Sequence, residues 1–285
     1  MTLDIAHLQT WIGRRETMSD VVAPWPMVAL AALLDRDDPY PTHDTVLPPG
    51  GHWLYFRPAA RQSDLGPDGH PRRGGFLPPV PLPRRMWAGG RIEFRAPIRM
   101  GEIIHRVSEV REVTLKDGKS GPLVFVLVEH VISGAGGVLL REEHDIVYRE
   151  APAPGAAAKL SPAPGDPAWR RQIVPDPVML FRYSALTFNG HRIHYDQPYA
   201  TKVEGYPGLI VHGPLIATLL MDLLRRENPA ARLARFEFRA LAPLFDTAPF
   251  AVEGRPGADG HAAEVWAKTP EGALAMTAQA VLAAP

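Results

Sequence analysis

A short repeat sets the strongest limit on what this chain can fold into. Arg91-Ile92-Glu93-Phe94-Arg95-Ala96 returns as Arg235-Phe236-Glu237-Phe238-Arg239-Ala240, an offset of 144 in a chain of 285 residues. A repeat displaced by half the length points to a duplicated unit, and duplication constrains architecture before any single element does. Both copies alternate polar and apolar residues, as a half-buried strand does. Both lead into the same succession of strand-like runs. The first copy is followed by Ile103–Leu115, a charged turn at Lys116-Asp117-Gly118-Lys119, Leu123–Ile132, a glycine-rich turn at Gly134–Gly137, and Val138–Tyr148. The second copy, within Ala234–Ala240, leads to Phe250–Arg255, a turn over Pro256–Gly260, Ala262–Lys268, a turn at Thr269-Pro270-Glu271-Gly272, and Ala273–Leu282. Glycine-containing turns between alternating runs are hairpin signals, so each half is expected to form an antiparallel meander.

Each half should also own one helix ahead of its strands. The second is clear: Gly213-Pro214 opens it, with proline where its missing N–H costs nothing, and Asn228-Pro229 closes it. Leu215, Ile216, Leu219, Leu220, Leu223 and Leu224 lie between at helical spacing. A helix apolar on so many sides is expected inside a curved sheet. In the first half the equivalent place is Leu77–Met86, where prolines interrupt any helix, so a short or broken one is expected. The predicted fold is α+β: two fused hotdog units, each a curved antiparallel sheet around a central helix. Residues 1–150 form the first unit and 171–285 the second, joined by a Pro/Ala-rich linker over 151–170.

Composition removes several classes of function. Formal net charge is zero and no segment is strongly basic, which argues against a nucleic-acid binder. Cysteine is absent, which excludes disulfides, thiolate nucleophiles and cysteine-based zinc sites and suits a reducing, cytoplasmic setting. No long apolar run suggests a membrane segment. Gly-x-Ser-x-Gly, Gly-x-x-x-x-Gly-Lys-[Ser/Thr] and His-Glu-x-x-His are missing, so a hydrolase elbow, a P-loop and a zincin site have no local support.

The densest polar cluster is Tyr183-Ser184-Ala185-Leu186-Thr187-Phe188-Asn189-Gly190-His191-Arg192-Ile193-His194-Tyr195-Asp196, followed by Gly205-Tyr206-Pro207-Gly208-Leu209-Ile210-Val211-His212-Gly213. Asn189 and His194, five apart across a glycine turn, can converge from one loop. Gly213 stands before a helix, where free N–H groups and the helix dipole favour negative charge. This run resembles the motif of the MaoC-like enoyl-thioester hydratases and hydroxyacyl-thioester dehydratases: aromatic-x-x-x-[Ser/Thr]-Gly-Asp-x-Asn-Pro-[aliphatic]-His, then a small residue and a Val-His-Gly before the central helix. His194 falls on the motif histidine, Asn189 on the motif aspartate, and Ala200 on the small residue. Taken with Phe76–Gly90, the run resembles the two-hotdog branch, which includes mesaconyl-C4-CoA and itaconyl-CoA hydratases and mitochondrial-type hydroxyacyl-thioester dehydratases.

The resemblance implies a hydro-lyase on a short branched or dicarboxylic enoyl-CoA, with no cofactor and no metal. His194 would be base in hydration and acid in dehydration, since imidazole titrates near working pH. The Gly213 N–H would stabilise the developing enolate oxygen. Asn189 departs from the motif: a carboxamide can orient water but not take its proton. Asp196 or Glu204 could stand in for the missing carboxylate. A distal substrate carboxylate calls for an arginine fork, with Arg84, Arg85, Arg182 and Arg192 as candidates and His212 as a further contact. Arg192 could equally bridge to Asp196 or Glu204, and His191 and His212 could bond backbone in their own loop. His43, His52 and His70, in a Pro/Gly-rich region, are expected in loops. Other readings are a 3-hydroxyacyl-ACP dehydratase and a non-catalytic acyl-thioester-binding module. Partners are an acyl-CoA or acyl-ACP and a second copy of the chain, with neither nucleic acid nor membrane.

Overall fold

A computed structural model describes residues 3–118, 121–151, 160–258 and 260–283. One ten-stranded antiparallel sheet runs through it. Its strands are β1 (Arg15–Val21), β2 (Arg84–Phe94), β3 (Ile103–Gly118), β4 (Gly121–Gly134), β5 (Gly137–Arg149), β6 (Trp169–Ile173), β7 (Arg232–Ala240), β8 (Phe250–Pro256), β9 (Ala262–Lys268) and β10 (Leu274–Ala283). They lie in the order β1-β3-β4-β5-β2-β7-β10-β9-β8-β6. The order is a palindrome: β2 corresponds to β7, β5 to β10, β4 to β9, β3 to β8 and β1 to β6.

The repeated hexapeptides meet at the centre of this palindrome. Arg91 pairs with Glu237, Ile92 with Phe236, and Glu93 with Arg235. Ile92 and Phe236 are equivalent positions of the two copies, so a pseudo-two-fold axis passes between them. Opposite charges face each other on both sides of it, a favourable cross-strand arrangement. Gly89 and Gly90 let β2 sit tightly in this seam: a Cβ on Gly89 would come 2.6 Å from the Phe238 carbonyl oxygen, and one on Gly90 2.8 Å from that of Glu143.

The helices break the symmetry. They are α1 (Ile5–Gln9), α2 (Pro24–Leu33), α3 (Pro177–Thr187) and α4 (Gly213–Glu227). The helices α2 and α3 are counterparts, each opening on a proline just after an edge strand and packing against the other. By contrast α4 has no counterpart among the described residues. Every residue from Leu215 to Leu224 is buried, and the one carboxylate among them, Asp222, accepts hydrogen bonds from Arg36, Arg171 and Arg226 at 3.0, 3.0 and 2.7 Å. A buried charge needs such partners to be tolerated at all.

The equivalent place in the first half corrects the sequence reading. Leu77–Met86 contains no helix, short or broken: it is irregular to Pro83, and Arg84 already begins β2. Prolines that cannot join a helix ladder lay the chain flat on the sheet instead. Val80 and Leu82, together with Leu8 of α1, are buried against Val110, Val113, Val124, Val126, Val128 and Tyr148. The strand succession otherwise follows the pattern, although β3, β4 and β5 extend beyond their expected ends. Much of the linker, residues 152–159, lies outside the described residues, as do Lys119 and Asp259 in two of the expected turns. Its later part is tied down: Leu274 donates to the Ser161 carbonyl at 2.8 Å and Ala163 to that of Gly272 at 3.0 Å, and Trp169 and Arg170 belong to β6. Among the described residues no helix is long and apolar enough to cross a membrane.

Candidate active site at the junction of the two halves

The motif segment starts on a helix and not in a loop. Asp176 caps α3, accepting from the Met179 N–H at 2.7 Å, and the helix ends at Phe188, whose φ of 53° is left-handed. Asn189 N–H then bonds back to the Ser184 carbonyl at 2.8 Å, as at many helix C-termini. The Asn189 side-chain oxygen accepts the His191 N–H at 3.0 Å and shapes the next turn. A 3₁₀ turn over Arg192–His194 follows. This succession carries His194 inward.

His194 is buried and held on two sides. Its Nδ1 lies 2.7 Å from the Ile210 carbonyl oxygen. A carbonyl can only accept, so Nδ1 carries the proton and Nε2 presents a lone pair. The ring stacks on His212 with centres 3.7 Å apart and planes 18° from parallel. His212, itself 0% exposed, is pinned by Ser184 Oγ at 2.8 Å from its Nε2. Burial lowers the His194 pKa to about 4, although the Ile210 bond works the other way. The imidazole is therefore neutral at working pH, as a base must be. Gly213 opens α4 immediately after His212, and no described group accepts its N–H. Trp87 of β2 faces it from the first half, with its carbonyl oxygen 4.0 Å from where a Gly213 Cβ would stand.

A loop of the first half completes the surroundings. Gly66 N–H bonds to the His70 carbonyl at 2.7 Å and Arg72 N–H to that of Asp64 at 2.9 Å, closing a tight turn. Its tip docks on the motif loop: Arg192 donates from its backbone to the Asp68 carbonyl at 2.9 Å and from its guanidinium to that of Pro67 at 3.0 Å. Gly69, at φ +87°, touches Gly190 backbone to backbone, and a Cβ there would overlap the Gly190 carbonyl oxygen. The turn places Asp68 and His70 beside His191, with His70 and His191 ring centres 4.1 Å apart and His191 edge-on to His194 at 5.5 Å. Donor atoms of Asp68, His70 and His191 lie within 4.8 Å of one another, close enough for a divalent cation. The donor set fits one poorly, because Asp68 is already bonded to the His70 ring at 3.2 Å and the Arg85 cation faces both histidines. Burial lowers the pKa of both rings.

Of the four candidate arginines, three are spent or remote. Arg84 forms an ion pair with Glu204, donates to Tyr206 Oη at 3.0 Å and stacks over that ring. Arg192 bridges to Asp196 at 2.7 Å, and the side chain of Arg182 is exposed on α3 without an ion pair among the described residues. Arg85 has no ion pair among the described residues and stands among His70, His191 and the buried Tyr148. Neither carboxylate considered as a substitute is free. Asp196 holds Arg192 and the Tyr199 N–H, while Glu204 holds Arg84 and Tyr199 Oη. His212, expected as a substrate contact, is walled in behind His194. His52, expected in a loop, lies in a 3₁₀ turn over Gly51–Leu54 and is buried 3.0 Å from Glu142. The reading of the chain missed Asp68, His70 and Tyr148; the one signal for the first two is Asp-Gly-His framed by glycines and prolines.

Residues 50–246 match the model of the hydroxyacyl-thioester dehydratase type 2 family. The chain belongs to this family. It is 49% identical over 274 residues to the mesaconyl-C(4)-CoA hydratase of Chloroflexus aurantiacus, covering 96% of this chain and 97% of that one. It is 29% identical to the mitochondrial hydroxyacyl-thioester dehydratase type 2 of Schizosaccharomyces pombe, over 73% of this chain and 77% of that one. Among solved structures, a MaoC-like dehydratase from Phytophthora capsici superposes with a TM-score of 0.70 at 15% identity, covering 99% and 100% of the two chains. A Mycobacterium tuberculosis protein described as a double hotdog superposes at 0.58 with 15% identity, over 95% and 96%. The palindromic sheet is thus a double hotdog, and the chain is a hydro-lyase of the hydratase–dehydratase type.

Proposed function

We propose that this protein adds water to a short branched dicarboxylic enoyl-CoA of the mesaconyl-C4-CoA type. The observation that carries the reading is His194, a neutral, fixed imidazole whose Nε2 lone pair has no described partner and lies beside the N-terminus of α4. In hydration Nε2 takes a proton as the water oxygen bonds to the β-carbon. The double-bond electron pair moves onto the thioester oxygen, and the enolate then collects the proton at its α-carbon. The Gly213 N–H and the α4 dipole face the charge on that oxygen. The 49% identical relative supports the substrate class. In mesaconyl-C4-CoA the free carboxylate sits on the β-carbon, so its cation must stand next to the base. Arg85, beside His191 and without an ion pair among the described residues, is the arginine that meets this demand.

The test is steady-state hydration of mesaconyl-C4-CoA, itaconyl-CoA and crotonyl-CoA, with dehydration of a medium-chain 3-hydroxyacyl thioester beside them. The dicarboxylic substrates should be turned over. His194→Ala should lower kcat by about 10²–10⁴-fold in a folded protein, and Arg85→Ala should raise KM for mesaconyl-C4-CoA but not for crotonyl-CoA. Turnover confined to the medium-chain thioester would replace this reading with the dehydratase of acyl-chain synthesis.

A further inference from the structure

We propose that His70, oriented by Asp68, is the second hydrogen-bond acceptor for the reacting water, supplied by the first half in place of the carboxylate that position 189 lacks. The inference rests on the hydro-lyase reading above. A water that attacks through one lone pair must have both hydrogens held, or it rotates away from the β-carbon. His194 Nε2 can hold one. The Asn189 oxygen is turned into its own loop, where it accepts the His191 N–H at 3.0 Å, and a carboxamide is a weaker acceptor than an imidazole lone pair. Asp196 and Glu204 are spent on Arg192 and Arg84, and His212 is sealed behind His194.

His70 has what these groups lack. A carboxylate accepts, so the 3.2 Å contact with Asp68 Oδ2 puts the proton on His70 Nδ1 and leaves the Nε2 lone pair without a described partner. Among the described residues His191 has no hydrogen bond at either ring nitrogen to fix its tautomer. Asp68 is fixed in turn: its Oδ1 accepts the His70 N–H at 3.1 Å and its carbonyl holds Arg192. The contact between Gly69 and Gly190 sets the height of the turn over the motif loop. His194 on the Ile210 carbonyl and His70 on the Asp68 carboxylate are therefore two imidazoles prepared alike, one from each half. Between them a single water can be gripped by both hydrogens. The proton leaves toward His194, and His70 retains the hydrogen that stays on the product hydroxyl.

The experiment compares wild type with His70→Ala, His70→Gln, Asp68→Ala and His191→Asn, on whichever thioester of the panel the wild type turns over. His70→Ala should lower kcat about 100-fold with KM within about threefold, as expected when a reacting group loses its alignment. Glutamine can accept through its side-chain oxygen, so His70→Gln should recover about tenfold of that loss, a rescue that a merely structural residue would not show. Asp68→Ala, which keeps the imidazole, should fall in between and serves as the kinetic readout if His70→Ala does not fold. Unchanged kcat in the His70 variants, or a loss confined to His191→Asn, overturns the proposal. So does activity abolished by a chelator and restored by zinc, which would make the trio a metal site. A wild type that turns over no member of the panel overturns the functional reading and this inference together, whereas failure of this inference alone leaves His194→Ala inactive and the wild type active.

Discussion

The two halves share a strand order and differ in what fills the concave face of the sheet. The second half holds α4, buried throughout and opening on free N–H groups next to His194. The first half holds irregular chain, with Val80 and Leu82 on the sheet, and a polar knot: Glu142 is buried between His52 at 3.0 Å, His144 at 2.7 Å and Trp53 Nε1 at 2.8 Å. His130, brought to the same inner face by the strict alternation of β4, is satisfied by Ser108 Oγ at 2.8 Å. Both halves bury histidines beside the sheet, yet His52, His130 and His144 of the first half are tied to Glu142 and Ser108, whereas His194 keeps a ring nitrogen unspent. A buried histidine is therefore not by itself a sign of chemistry; what matters is whether its second nitrogen is both unspent and within reach of substrate, which the sealed His212 is not.

Three measurements can break or sharpen this contrast. The largest effect is expected from Glu142→Ala. It strips the shared carboxylate from the His52–His144 knot and should cost about 3–5 kcal/mol of stability, read by chemical denaturation, without any direct effect on kcat. A variant of full stability would mean that the knot is dispensable, and the first half would look less like a structural counterpart. Next comes a pair of identical substitutions on the two fillings. Leu219→Ala in α4 should fall near the top of the range of about 2–5 kcal/mol for buried leucine, and Leu82→Ala near its bottom, because irregular chain can settle into the space while a helix cannot. Equal losses would show that the coil packs as rigidly as the helix. The mildest effect is on the acid side of the rate profile. Burial holds His194 neutral down to about pH 4, so kcat/KM should change by no more than about twofold between pH 7 and 5 and fall only below that. A limb near pH 6.5 would place the essential base elsewhere.

Legibility in the chain followed the range of the interactions. Strand succession, the turns at Gly134–Gly137 and Thr269–Gly272 and α4 rest on local periodicity and were readable, as was the motif loop, whose residues lie within a dozen positions; the expected turn at Lys116–Lys119 instead continues β3 through Gly118. The helix α3 was obscured because its apolar spacing is weak and its C-terminal turn overlaps the motif. The filling of the first half was misplaced because prolines exclude a helix without saying what replaces it. Arg84 and Arg85 are adjacent, yet strand alternation sends one to Glu204 and leaves the other beside His191 and Tyr148. Asp68 and His70 were out of reach. Their bearing on His194 arises from a contact between Gly69 and Gly190 that no local pattern announces.

The central pairing of Ile92 with Phe236 has a further consequence. In a dimer of two identical chains, each substitution is made twice, once on either side of the axis, and the complex comes apart on dilution. Here the same seam joins segments of one polypeptide, so pairing is independent of protein concentration and a change made on one side has no echo on the other. A loop could be built on one half to serve a histidine in the other without an unwanted duplicate where the second site would have been.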